Sequence, residues 1–210
     1  MRKHIPREVK VLLRIYDASS LVIDTLGDWA RGRNVSVACF YFDFADQKEQ
    51  SPTEILSSLL KQVVGGLVDI PETIIEAFRG EEGVIGGRKP RLGEIVEMFS
   101  DISSSRPTYI CIDALDECLD EYRGMLIDCL KQILRKSPRI RLFLTGRGHI
   151  QDEVELYLAG RVVSVSITPA RDDIIRFLRA RLGEDRIPGG MDESLEEDII
   201  KSIPETVSEM

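Results

Sequence analysis

Residues Arg106 to Cys118 read RPTYICIDALDEC. Pro107 closes a turn, Tyr109, Ile110, Cys111 and Ile112 form a short apolar run, and three acids follow: Asp113, Asp116 and Glu117. An apolar run between a proline and an acid cluster is the pattern of a strand buried on both faces, as in the middle of a parallel sheet. Ligands of open α/β sheets bind at the C-terminal ends of such strands, where these carboxylates fall. Acids there suit a magnesium nucleotide: one holds the ion, usually through water, and a neighbour orients or deprotonates the attacking water. A strand ending in a bare aspartate says less, because that carboxylate also serves to cap the next helix.

Outward from this stretch, helix and strand patterns alternate. Downstream, Glu121 to Lys136 carries Tyr122, Met125, Leu126, Cys129, Leu130, Ile133 and Leu134 on one broad face, the mark of a core-facing crossover helix. After Pro138, Ile140 to Thr145 (IRLFLT) reads as a buried strand ending at Gly146-Arg147, Val162 to Ile167 as another, and Arg171 to Leu182 as a helix. Upstream, Leu92 to Ile102 and Pro71 to Phe78 read as helices. Ser51-Pro52-Thr53-Glu54 opens one more, with Ser51 as N-cap, Pro52 at the first position and Glu54 completing a capping box. Val35 to Phe42 (VSVACFYF) is β-branched and aromatic, hence a strand. Asp17 to Arg31 is a helix stopped by Gly32, and Val9 to Ile15 a first strand. Five strands alternating with helices predict right-handed crossovers and an α/β fold: a parallel five-stranded sheet with helices on both faces, three layers in all.

The 43% apolar content of 210 residues supports one substantial core. A charged fraction of 30% and net charge of -8 suit a soluble chain and argue against a nucleic-acid binder, which needs a basic face. Cys39, Cys111, Cys118 and Cys129 lie inside predicted elements without framework spacing, so they read as reduced thiols of an intracellular, cytoplasmic protein. His4 and His149 are too few for a zinc site. Residues 1–8 form a basic flank, and the apolar run Val11 to Leu13 is too short for a signal peptide; no segment reaches membrane-spanning length, so no membrane partner is expected. The loop Gly80 to Pro90 loosely imitates a phosphate-binding loop, but Pro90 stands where Ser or Thr should follow Lys89, and no strand precedes it. From Glu184 onward nine acids face only Arg186 and Lys201, and Glu193 to Ser202 predicts a last helix before Pro204.

YICIDALDEC resembles the Walker B strand of STAND-type P-loop NTPases, in particular the NACHT-like module common in fungal proteins and the related nephrocystin-like N-terminal module. VKVLLRI and SSLVIDTL resemble the strand and helix that flank the phosphate loop in those proteins. The resemblance implies an NTPase core over residues 9–183 and, over 184–210, the acidic start of a truncated helical segment often followed by repeats. It implies a sheet order in which the strand ending at Thr145 separates the acidic strand from the first. ATP or GTP with Mg²⁺ is the implied cofactor, with Asp113 on the metal, Asp116 or Glu117 on the water and Arg147 on the γ-phosphate. Ser19 and Ser20, at the start of the first helix, are the implied cofactor-binding residues. Arg147 has a second reading, as a surface arginine paired with Asp113 or Asp116. The implied partners are proteins, or other copies of the chain, engaged by nucleotide-gated association through further C-terminal domains.

One feature of the family is missing. No GxxxxGK[ST] occurs, and between Ile15 and the helix containing Ser19 and Ser20 stand only Tyr16, Asp17 and Ala18. A phosphate cradle needs backbone N–H groups, a lysine and a hydroxyl in that place, and Asp17 at the positive end of the helix dipole repels a phosphate. Two further readings stand beside an NTPase: a non-enzymatic interaction module that kept the fold, and a fragment of a larger multidomain protein whose loop lies in a missed exon. Asp43 reads as a turn residue, Asp172 and Asp173 as dipole partners, His149 as exposed loop, and Cys118, with no histidine near in sequence, as helix packing.

Overall fold

A computed structural model describes residues 9–13, 16–43, 50–79, 90–158, 162–166, 170–184 and 192–209. The basic flank, the strand end expected at Ile15, the polar stretch 44–49 and most of the glycine-rich loop lie outside the described residues.

The first unit holds Val9–Leu13 (β1), Tyr16–Ala30 (α1), Ser36–Tyr41 (β2), Pro52–Gly65 (α2), Glu72–Arg79 (α3) and Leu92–Ser105 (α4). Thr108–Asp113 (β3), Asp120–Lys136 (α5), Ile140–Gly146 (β4), Gln151–Tyr157 (α6) and Val162–Ser166 (β5) follow. The sheet is parallel with the order β2-β3-β4-β1-β5, so β4 lies between the acidic strand and the first, as the resemblance implied.

Alternation of side chains sends the two faces of the strands to different helices. Ala38, Ile110 and Leu142, aligned across β2, β3 and β4, share one core with Leu59 of α2, Phe99 of α4 and Leu130 of α5. On the other face Tyr109 meets Trp29 of α1 edge to face, with ring centroids 5.7 Å apart. Helices therefore cover both faces, and β3 is enclosed: Ile110, Cys111 and Ile112 are wholly buried.

The outer edge of β2 carries backbone groups with no strand beside them, which invites pairing with another chain. Gln62 of α2 covers this edge at Cys39: its Oε1 accepts from the Cys39 N–H at 2.9 Å and its Nε2 donates to the Cys39 carbonyl at 2.8 Å. α2 begins as the sequence dictates, at N-cap Ser51 with Pro52 in the first turn. Ser51 Oγ accepts from the Glu54 N–H, and the Glu54 carboxylate accepts from the Ser51 hydroxyl at 3.2 Å.

Three local expectations are corrected. α6, unanticipated, has only Val154 and the following Leu158 buried, too few apolar positions to give a period. Met125 of α5, expected inward, is 52% exposed. The last helix does not stop before Pro204: Glu193–Glu209 (α8) runs through it, although proline removes the N–H that would bond the Ile200 carbonyl. The chain divides into two units, residues 1–167 and 168–210, and Arg171–Glu184 (α7) groups with α8.

Candidate functional site

β3 and β4 end side by side, and the loops that follow them are tied together by four contacts. Ala114, directly after β3, has φ 55° and ψ 44°, the one non-glycine positive φ among the described residues. An L residue in that conformation costs roughly 1–2 kcal/mol, so the surroundings must enforce it. They do: the wholly buried Leu115 anchors the 3-10 turn Leu115–Glu117, and the Ala114 N–H donates to Thr145 Oγ1 at 3.0 Å. The Thr145 hydroxyl in turn donates to Asp113 Oδ1. Asp116 Oδ1 accepts from the Arg147 N–H at 3.1 Å, and Asp116 Oδ2 pairs with Arg147 Nε at 3.3 Å. The Asp116 side chain is 5% exposed and that of Arg147 60%, so the arginine roofs the acid. Gly146 makes room for this, since a Cβ there would sit 2.7 Å from Ile150 Cδ1 and 3.3 Å from Asp116 Oδ1.

Thr145 is the residue that sequence reasoning passed over, although a buried hydroxyl at the end of an apolar strand needs partners at that very place. Thr145→Val, equal in shape, strands the Ala114 N–H and removes the donor to Asp113. It is expected to cost about 1–3 kcal/mol in urea denaturation, and a cost near zero would show the bridge to be idle.

Arg147 thus sits on Asp116, one of its two sequence readings, and Asp113, Asp116, Glu117 and Arg147 gather at one sheet edge. β1 reaches the same edge, because Leu12 and Leu13 align with Thr145 and Gly146. Two residues separate Leu13, the end of β1, from Tyr16, the start of α1. Ser19 and Ser20 fall early in α1, and Ser20 is exposed. Asp43 and His149 are exposed. Among the described residues no group of three or more His, Cys, Asp or Glu is placed to hold a metal ion.

Cys118, beside the acids, is buried, and burial pushes its thiol up to about 11 despite the opposing pull of Arg123; Cys111 is pushed up to about 12, again by burial. Both thiols are therefore held protonated at pH 8. Neither thiol is expected to react with iodoacetamide on the native chain at that pH, as peptide mapping would show; rapid labelling of Cys118 would return it to the list of nucleophiles.

The profile of the nephrocystin 3 N-terminal family matches residues 18–147, from the first turn of α1 to the arginine that covers Asp116. The chain belongs to this family. No curated protein matches the chain. Among solved structures the nephrocystin-type module is similar to a Walker-type ATPase of Pyrococcus abyssi, at 16% identity and a TM-score of 0.51, covering 95% of this chain and 60% of that one. It is similar to the Orc1 protein of Aeropyrum pernix solved with DNA, at 17% identity and TM-score 0.53, covering 99% and 50%. It also resembles the Drosophila ORC bound to DNA, at 10% identity and TM-score 0.56, covering 87% and 43%. Such identities carry the fold alone, that of an NTPase-like module, and the chain spans about half the length of these proteins. Among the described residues no helix is long and apolar enough to cross a membrane.

Proposed function

We propose that the chain is a NACHT-like, STAND-type signalling module of the fungal kind whose nucleotide site keeps its metal-facing acid and lacks its phosphate cradle. It then acts as a protein-docking scaffold in the cytoplasm, with no working cycle of ATP or GTP hydrolysis. The observation that carries this reading is the interval of two residues between β1 and α1. A wrapped triphosphate needs a glycine-rich turn there, with a lysine and a Ser or Thr at the helix start.

The residues present meet half of that requirement. Asp113 could hold Mg²⁺ beside a nucleotide, and Thr145 fixes the orientation of its carboxylate. Both Asp116 oxygens are engaged by Arg147, so Asp116 is a poor orienter of water and Glu117 inherits that role if any chemistry survives. Arg147 reaches a phosphate only by leaving Asp116. No glycine-rich GK[ST] motif occurs in the sequence to replace the cradle: Ser19 and Ser20 supply hydroxyls, and Asp17 brings a negative charge to the start of α1.

Thermal denaturation with Mg-ATP tests this. At 1 mM ligand and a dissociation constant near 10 mM the added stability is only about 0.06 kcal/mol, a shift of Tm well under about 0.5 °C. A rise of several degrees would mean that a cradle exists. The competing view, an NTPase at work, would gain from that rise alone.

A further inference from the structure

The N-terminal ends of β2, β3 and β4 form the edge of the sheet opposite the acids, and in a chain of net charge -8 that edge is basic. Arg33 follows α1, with its guanidinium carbon 4.7 Å from the centroid of the Trp29 ring. Trp29 stands edge to face on Tyr109, and Tyr109 aligns with Arg141 on β4. Arg139 precedes β4 and is exposed, with one N–H donated to the Ser105 carbonyl at 3.2 Å. Two carboxylates near this edge are already taken: Asp28 by Arg31 at 3.1 Å and Glu97 by Lys136. Among the described residues none of Arg33, Arg139 and Arg141 is paired with a carboxylate. Trp29 remains 40% exposed.

We propose that this edge is a docking surface for an acidic segment of a partner protein. Arginine binds carboxylates through paired N–H groups, and the exposed Trp29, Arg33 and Arg139, with the half-buried Tyr109 and Arg141, are of the residue types that dominate protein interfaces. Charge complementarity selects the partner: three arginines without a carboxylate partner, one of them stacked on the Trp29 ring and two held by backbone carbonyls, match a short run of Asp or Glu. The overall negative charge opposes a long phosphate backbone, whose binding draws on a wide basic face. The surface is independent of the nucleotide reading and lies at the other end of the strands.

Trp29 is the chain's single tryptophan, so its emission reports on this surface alone. A short poly-glutamate peptide titrated into the full chain is expected to change that emission saturably, with labelled-peptide anisotropy as second readout, and to weaken as salt rises. Its poly-glutamine counterpart is expected to do nothing. Arg33→Gln and Arg139→Gln together, or Arg33→Glu and Arg139→Glu, should lower the affinity at least ~10-fold with an unchanged melting temperature, whereas Arg176→Glu in the second unit should leave it unaltered. No saturable response to poly-glutamate, or the same response in the Arg33/Arg139 variants, would overturn the proposal. So would tighter binding of an oligothymidylate of equal charge, which would assign the edge to a phosphate backbone.

Discussion

Replacing Arg123 by alanine is expected to destabilise the first unit by about 2–3 kcal/mol. Its side chain is 10% exposed, its Nε pairs with Glu153 of α6 at 2.8 Å, its Nη2 with Asp120 at 2.7 Å, and its Nη1 donates to the Cys118 carbonyl at 3.0 Å. Removing one member of a buried ion pair leaves the other charge uncompensated, at a cost of about 3–5 kcal/mol in full burial. Glu153 is 29% exposed, which lowers the figure, and the 92% exposed Asp120 adds little. The unpaired Cys118 carbonyl restores part of it. Arg123 fastens the loop after Glu117 to the helix that follows Arg147, so the two strand-end loops have an outer tie as well as the Asp116 one. Urea denaturation of Arg123→Ala, Glu153→Gln and the double variant measures the pair directly. Full additivity of the two single changes would mean that the arginine and the glutamate do not act together.

The second large effect is a gain. Inserting a Gly-x-x-x-x-Gly-Lys-Ser segment between Ile15 and Ser19 is expected to create Mg-ATP binding that the proposed function denies to the native chain. The graft adds a lysine and backbone N–H groups, each charge-assisted hydrogen bond contributing roughly 1.5–3 kcal/mol. Two such bonds alone strengthen binding by a factor of about 10²–10⁴. The acceptor site is in place, because β1 ends beside Thr145 and Gly146 and so faces Asp113. Binding in the grafted chain should fall when Asp113→Ala is added. A grafted chain that folds, as judged by its melting curve, yet ignores Mg-ATP would show that the acidic edge has lost more than its cradle.

How much of this was legible in the sequence depends on the length scale of each signal. The β3 stretch announced itself because a wholly buried strand must be apolar throughout, and the turn after it because three acids cannot share a buried strand. The order of the strands came from resemblance, since alternation of apolar residues carries no information on which strands pair. The Asp116–Arg147 contact was one of two readings of Arg147, and because it joins residues 31 positions apart no local pattern decided between them; the glycine at 146 that admits it looks like any other turn glycine. Met125 was expected inward from helical spacing but stands 52% exposed, at the rim of an apolar stripe wider than the core it faces. The basic edge was hidden for a different reason: Arg33, Arg106, Arg139 and Arg141 are scattered along an acidic chain, and only strand alignment brings three of their strand starts together.

An acidic strand end with no GK[ST] loop in the sequence to face it is what sets the proposed function apart from a working NTPase. Calorimetric titration of Mg-ATP into the native chain tests that most directly. The expected result is no saturable heat at millimolar ligand, unchanged by Asp113→Ala. Sub-millimolar affinity that disappears in Asp113→Ala would contradict it and make the chain a working nucleotide-binding module.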